Sequence, residues 1–141
     1  MTNKQTNLEF FLNLAKFQTR LSRRLDSRLG GLGFNEFIIL YQLSQAEAEK
    51  MRRIDLADMV GLTASGITRL LLPMEKIGLI KKEANLQDAR SSFVVLASGG
   101  KKKLSEALER LEVFGEDVIP SSKEKALVEF SQLLNELGKN F

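Results

Sequence analysis

The chain contains no cysteine, no histidine and only one tyrosine in 141 residues. Without cysteine it can form no disulfide, and no thiol is available for catalysis or redox sensing. Without histidine it lacks the commonest general base, and a zinc or copper sensor would lose its usual ligands. No pair of carboxylates and no nucleophile with an adjacent base stands out among the remaining residues. We therefore expect a protein that is not an enzyme and that needs no metal or cofactor.

Long apolar runs are also missing. No run approaches the roughly 20 apolar residues that cross a bilayer, and the N-terminus lacks the pattern of a signal peptide. These absences predict a cytoplasmic protein without a membrane segment. The length and the 43% of apolar residues suit a single domain over residues 1–141.

Positive charge is concentrated in the middle of the chain. Residues 51–103 carry ten basic and five acidic side chains, a net charge of +5. Residues 104–141 carry four basic and eight acidic side chains, a net charge of −4. A basic segment of this kind supplies the sequence-independent attraction that phosphate binding needs.

Two short amphipathic helices are predicted within this basic segment. Their apolar positions recur at helical spacing, at Leu56, Val60, Ile67, Leu70, Leu71 and Met74. Gly61 suits the turn between the helices, and Thr63 suits the cap of the second. Ser65, Thr68 and Arg69 fall on a different face of that helix from its apolar stripe. A helix with one apolar face to bury and another face that carries hydroxyls and one arginine suits the major groove of DNA.

A β-hairpin is predicted after these helices. Residues 79–83 and 93–97 read as paired strands around the polar segment 84–92, which would form the wing of a winged helix-turn-helix. Arg90 lies in this loop, and we expect it to enter the minor groove, although a local salt bridge with Asp88 is an alternative that can coexist. Lys81, Lys82 and Lys101 are candidates for phosphate contacts, and plain solvation is the competing interpretation.

Pro73 conflicts with the helix in which it lies. Proline has no amide to donate to the carbonyl of Arg69, and its ring crowds the preceding turn at a cost of roughly 3 kcal/mol. The sequence therefore predicts a kink or a lost hydrogen bond between these two residues.

The two ends of the chain, residues 1–30 and 101–141, are predicted to form amphipathic helices, the first over Leu8–Leu29. They carry more large apolar groups than a thin terminal layer can bury within one subunit, so we expect a second copy to cover them. The residues assigned to this dimer interface are Phe10, Phe11, Leu14, Phe114, Phe130, Leu134 and Phe141. A second aromatic set could line an effector pocket, although plain core is its commoner role. That set is Phe17, Phe34, Phe37 and Tyr41.

Three stretches, in this order, resemble the MarR family of transcriptional regulators. They are LGFNEFIIL at residues 32–40, LTASGITRLL at 62–71 with MEKIGLI at 74–80, and Asp88-Ala89-Arg90 before the strand that contains Val94. Helix order and length agree with that family over essentially the whole chain. The ordered set is fairly specific, whereas each piece alone is weak.

The resemblance implies a homodimer in which the terminal helices interleave and two winged domains bind a pseudo-palindromic operator. It also implies that Asp88 orients the guanidinium of Arg90, that the protein represses or adjusts transcription, and that a small aromatic or anionic effector often releases it. The expected fold is mainly α with a small β-hairpin wing, the winged helix-turn-helix lying at residues 51–100. The alternative is a winged-helix module that binds another protein and does not bind DNA.

Overall fold

In the computed structural model, which describes residues 2–141, six α-helices accompany one three-stranded antiparallel sheet. The helices are α1 (Asn3–Asp26), α2 (Phe34–Gln45), α3 (Arg53–Val60), α4 (Ala64–Lys76), α5 (Ser98–Val118) and α6 (Glu124–Gly138). The strands are β1 (Lys50–Arg52), β2 (Ile80–Ala84) and β3 (Ser92–Leu96). The predicted class, mainly α with a β-hairpin wing, is confirmed. None of the helices in the described part is apolar over a length that would span a bilayer.

The first helix starts earlier and ends earlier than its apolar pattern predicts. The Thr2 hydroxyl accepts a hydrogen bond from the amide of Gln5, and the Gln5 side chain accepts one from the amide of Thr2. This reciprocal cap satisfies two amides of a polar first turn that apolar periodicity cannot detect. At the other end Gly30 and Gly31 have positive φ, but the helix has already ended at Asp26.

The core lies where α2 meets α3, α4, α5 and the base of the wing. The largest fully buried side chains are Leu25, Leu29, Ile39, Leu40, Leu43, Leu56, Ile67 and Met74. Three of these belong to α2, which contacts α3 and α5 more extensively than it contacts α1. The core therefore holds the helix-turn-helix rigidly, whereas much of α1 lies outside it.

The wing has one strand more than the predicted hairpin. β2 and β3 form the hairpin, each displaced by one residue from its predicted range, and β1 pairs with the other edge of β3. In this register Arg52 lies opposite Phe93. The extra strand ties the segment before α3 to the wing, which brings Arg52 and Arg53 close to the wing loop.

A pair of glycines at the start of α5 allows a close approach between this helix and the wing. Gly99 and Gly100 lie inside the first turn of α5, which begins at Ser98. A Cβ on Gly99 would lie 2.7 Å from the carbonyl oxygen of Gly78, and one on Gly100 would overlap the carbonyl oxygen of Leu79. The pair therefore allows α5 to pack directly against the backbone that leads into the wing.

Pro73 does not end its helix. α4 continues to Lys76, and the amide of Ile77 donates to the carbonyl of Pro73 at 3.2 Å. The hydrogen bond to Arg69 is lost because proline has no amide, as predicted, yet Ile67 and Met74 are fully buried on the inner face. Their packing offsets the proline penalty, and Pro73 itself lies on the exposed side.

Candidate nucleic-acid interface

The beginning of α4 is formed by the turn and cap that the sequence predicts. Gly61 has φ 73°, a left-handed conformation that lets the chain reverse between α3 and α4. The Thr63 hydroxyl accepts a hydrogen bond from the amide of Gly66 at 3.0 Å and lies 3.3 Å from the hydroxyl of Ser65. Thr63 therefore caps α4, and because only one of the two hydroxyls donates to the other, one hydroxyl hydrogen of the Thr63–Ser65 pair remains available to a phosphate oxygen.

The exposed side of α4 presents an arginine and a hydroxyl. Ser65 and Arg69 are exposed, whereas Ile67 and Leu71 are buried on the opposite side. The Thr68 hydroxyl donates to the carbonyl of Ala64 at 2.9 Å, so this group is left to act as an acceptor. Arg69 forms no ion pair within 4.0 Å with any residue of the described range 2–141.

Side-chain hydrogen bonds to the backbone shape the wing loop. The Asp88 carboxylate accepts from the amide of Arg90 at 3.0 Å, and the Asn85 side chain accepts from the amide of Gln87 at 3.0 Å. The Asn85 amide group also donates to the hydroxyl of Ser91 at 3.2 Å. The implied orientation of the Arg90 guanidinium by Asp88 is not observed among the ion pairs of residues 2–141. Asp88 instead sets the loop conformation from which Arg90 projects.

A cleft of about 360 Å³ opens between the wing loop and the start of α3 and α4. We call it the arginine cleft. Its lining residues are Arg52, Arg53, Ile54, Ala64, Arg90, Ser91 and Ser92. Three of them are arginines and none is acidic. Among residues 2–141, neither Arg53 nor Arg90 has an acidic group within 4.0 Å.

Sequence reasoning missed the contribution of Arg52 and Arg53 to this cleft. Nothing local in the sequence shows that β1 pairs with β3. The available signal was an arginine doublet immediately before the helix-turn-helix. Only the three-dimensional pairing brings this doublet close to Arg90.

The third arginine of the cleft, Arg52, is paired. Its Nε donates to one oxygen of Asp55 at 2.8 Å, and its Nη2 donates to the other at 3.1 Å. This hydrogen-bonded pair lowers the pKa of the Asp55 carboxyl from its usual value. The pKa of Arg52 is raised, mainly by the hydrogen bond to Asp55 and also by the charges of Asp55 and Asp88. Both side chains remain about half exposed.

The three candidate lysines differ in their surroundings. Lys81 is exposed, and no acidic group of residues 2–141 lies within 4.0 Å of it. Lys82 has a long contact of 3.9 Å to Glu75, and Lys101 forms a close ion pair of 2.7 Å with Glu49. Lys81 is therefore the most available of the three to a phosphate, and Lys101 the least.

Most residues assigned to the dimer interface lie on α1 and α6, where they are at least partly exposed. Phe11 is 64% exposed and Phe130 44%, while Phe141 is fully exposed. The rings of Phe10 and Phe130 lie 6.4 Å apart, beside a groove of about 410 Å³. That groove is lined by Phe10, Asn13, Leu14, Phe17 and Phe130. We call this surface of α1 and α6 the aromatic face.

Phe114 has a different environment from the rest of that set. It is 6% exposed, lies in the core, and has the guanidinium of Arg28 above its ring at 5.3 Å. It therefore belongs to the core and not to the surface of the aromatic face.

The predicted effector residues divide into two places. On α2, the ring of Phe37 stacks with those of Phe34 and Tyr41 at centroid distances of 6.2 and 6.4 Å. Phe37 is buried within the core, and Tyr41 is 39% exposed. Phe17 lines the groove of the aromatic face instead.

A short two-helix unit followed by a β-hairpin wing, with exposed cations between the two, defines a winged helix-turn-helix protein. The family model for the SarA/Rot transcriptional regulators matches residues 25–107, which include α2, the helix-turn-helix and the wing. The chain belongs to this family, and its resemblance to MarR-family winged-helix regulators is confirmed.

A curated relative and two solved structures are similar to this chain. The HTH-type transcriptional repressor YetL of Bacillus subtilis is 27% identical over 104 residues, which are 72% of this chain and 62% of the repressor. The transcriptional regulator BldR of Sulfolobus solfataricus is 25% identical and superimposes over 100% of both chains with a TM-score of 0.85. A mutant MarR from E. coli, in complex with operator DNA, is 17% identical and covers 97% of this chain and 99% of its own, with a TM-score of 0.77.

Proposed function

We propose that this regulator is a cytoplasmic repressor that binds a pseudo-palindromic DNA operator as a homodimer. The arginine cleft is the observation that carries the proposal. A helix in the major groove and a wing in the adjacent minor groove lie on either side of the same sugar–phosphate backbone. A cleft that brings Arg52, Arg53 and Arg90 together between those two elements is suited to that backbone. The name of the YetL repressor and the operator DNA in the MarR structure support the same conclusion.

The side chains of α4, the wing loop and the nearby lysines contact different parts of the DNA in this proposal. Arg69 contacts base edges in the major groove, because an arginine can bond to guanine through two donors, and Ser65 assists it. Arg90 enters the minor groove, where Asp88 holds the loop in place. The hydroxyls of Thr63 and Thr68 lie close to the sugar–phosphate backbone of the DNA. Lys81, Lys82 and, with less effect because of its ion pair, Lys101 contact phosphates.

The aromatic face provides the proposed dimer interface. A contiguous apolar surface of this kind is unusual on a monomer in water, and a second copy of α1 and α6 would cover it symmetrically. Residues 1–30 and 101–141 then form the dimerisation layer, and residues 51–100 form the DNA-binding part. Two such parts related by a two-fold axis would contact half-sites roughly 10 base pairs apart, or a multiple of that distance.

Binding to genomic DNA fragments tests the proposal directly. We expect the protein to retain a subset of fragments that share an inverted repeat, and to bind random-sequence duplex more weakly and with strong salt dependence. The alternative, a winged-helix module that binds only other proteins, predicts no mobility shift on either DNA at low salt. That result would overturn the proposal.

Release by a small aromatic or anionic effector is also proposed. The exposed edge of the stack formed by Phe34, Phe37 and Tyr41 offers an apolar contact next to the core helix α2. The groove beside Phe17 offers a second contact surface at the proposed dimer interface. Repeating the DNA-binding measurement with fractionated metabolite pools should identify a fraction that lowers affinity. If no fraction has this effect, the effector part of the proposal is wrong.

A further inference from the structure

The ion pair between Arg52 and Asp55 lies where β1 leads into α3. Arg52 is the last residue of β1 and immediately precedes α3, and Asp55 lies in the first turn of α3. Both side chains are about half exposed, so water screens their attraction and the pair adds little to folding stability. The geometry of the pair is nevertheless specific. Each carboxylate oxygen of Asp55 accepts one hydrogen bond, and the two bonds come from different nitrogens of the guanidinium.

Arg52, the partner of Asp55, also lines the arginine cleft and has N–H groups that Asp55 does not use. A guanidinium has five N–H groups, and this pair uses one on Nε and one on Nη2. The two on Nη1 and the second on Nη2 remain. Arg52 lines the cleft together with Arg53 and Arg90, and no acidic side chain is among its lining residues.

We propose that Asp55 is a positioning residue, which holds the Arg52 guanidinium so that its remaining N–H groups take a phosphate of the DNA backbone in the arginine cleft. An arginine side chain has many rotamers, and ordering it at the moment of binding costs affinity. Asp55 orders it beforehand. The inference rests on the proposed function, because it requires that the cleft binds duplex DNA.

The competing interpretation is that Asp55 acts only by its charge. A carboxylate next to the cleft would then repel phosphate and neutralise Arg52, and its removal would strengthen DNA binding. Positioning predicts the opposite sign. The sign of the change in affinity therefore separates the two interpretations.

The test is the affinity of the full chain for labelled random-sequence duplex DNA, measured by fluorescence anisotropy over a salt series. Asp55→Asn keeps the shape of the side chain but removes its charge and one of its two acceptors. We expect about tenfold weaker binding, the equivalent of one charge-assisted hydrogen bond. The slope of log K against log salt should also fall by about 0.9 for each subunit, as for the loss of one phosphate contact.

Asp58→Asn is the matched control. Asp58 lies on the same helix, is exposed, and has no ion-pair partner among residues 2–141, so its replacement removes the same charge without releasing Arg52. We expect unchanged or slightly tighter binding. If Asp55→Asn binds as tightly as Asp58→Asn, with the same salt slope, the positioning role is wrong. If neither wild type nor Asp58→Asn binds duplex DNA, the proposed function fails first, and the two failures are thereby distinguished.

Two further variants keep the test decisive should Asp55→Asn fold poorly. Arg52→Lys retains the charge but not the two parallel donors that bond to Asp55. Its loss of DNA affinity should therefore be nearly as large as that of Arg52→Ala. The double variant Arg52→Ala with Asp55→Asn should bind no more weakly than Arg52→Ala alone, because Asp55 acts through Arg52. Wild-type affinity in Arg52→Lys, or fully additive losses in the double variant, would overturn the inference.

Discussion

The winged part and the terminal helices expose opposite kinds of side chain. Around the arginine cleft, Arg53, Arg69 and Arg90 are exposed cations without an acidic partner within 4.0 Å in residues 2–141. On the aromatic face, Phe11 and Phe17 are exposed rings, at 64% and 60%. Unpaired cations favour a polyanion and exposed rings favour another apolar surface. The difference is the one that the proposed function requires, with the cations for DNA and the rings for a second subunit.

The largest effect should come from a charge on the aromatic face. In Phe11→Asp, a buried carboxylate would oppose association, so the dimer should dissociate and DNA affinity should fall by at least 100-fold as one half-site is lost. Sedimentation equilibrium and anisotropy measure the two effects. Ile77→Asp is the control, because Ile77 is similarly exposed, at 69%, but lies outside α1 and α6. If both variants keep the mass of the wild type, the aromatic face is not the interface.

The next effect concerns the cations of the winged part. Arg69→Ala should weaken operator binding by roughly 1–3 kcal/mol and random-duplex binding much less, because its contact is to bases. Arg90→Ala should weaken operator binding by a similar amount and leave the melting temperature nearly unchanged. Anisotropy with both duplexes and thermal unfolding provide the data. Equal losses on both duplexes for Arg69→Ala would contradict its base-reading role, and unfolding of Arg90→Ala would indicate a structural one.

A smaller effect is expected on the stability of the fold, where replacing either of two glycines of α5 by alanine should have opposite signs. Gly100→Ala should destabilise the protein by about 1–3 kcal/mol, because its Cβ would overlap the Leu79 carbonyl at the base of the wing. Gly115→Ala, on the same helix, has no described atom within 4 Å of its new Cβ. It should stabilise α5 by about 0.5–1 kcal/mol. Urea unfolding measures both changes, and equal signs would contradict the close packing of α5 against the wing.

The smallest effect is a pH dependence from the Arg52–Asp55 pair. The folded pKa of Asp55 is lowered by its hydrogen bond to Arg52, so the pair stabilises the folded state above the unfolded pKa. That contribution disappears as the pH falls through the folded pKa. An NMR titration of the Asp55 carboxyl should show a midpoint below the usual value, which rises in Arg52→Ala. An equal midpoint in the two proteins would contradict the observed pairing.

Sequence patterns located the winged fold because burial follows helical spacing in its two short helices. Leu56, Ile67 and Met74, three of the positions used for that prediction, are fully buried. The same spacing could not separate Phe114 from Phe130, because periodicity shows that a helix face is apolar and does not show what covers it. Phe114 packs into the core, whereas Phe130 stays on the surface.

The arginine cleft could be predicted only in part for a related reason. Arg90 was recognisable from its position in a wing loop. Arg52 and Arg53 join it only because β1 pairs with β3, and a three-residue strand leaves almost no periodic signal. Asp55 was likewise unremarkable in the sequence, since its role depends on which guanidinium it contacts.

The most direct test of the central claim, that the arginine cleft holds the phosphate backbone of DNA, is the salt dependence of duplex binding. Wild type should be compared with the double variant Arg52→Ala, Arg53→Ala by fluorescence anisotropy. The account predicts tight low-salt binding by the wild type, and a slope of log K against log salt that is smaller in the variant by about 0.9 for each arginine lost. Identical slopes in the two proteins, or no binding of duplex DNA by the wild type at low salt, would contradict it.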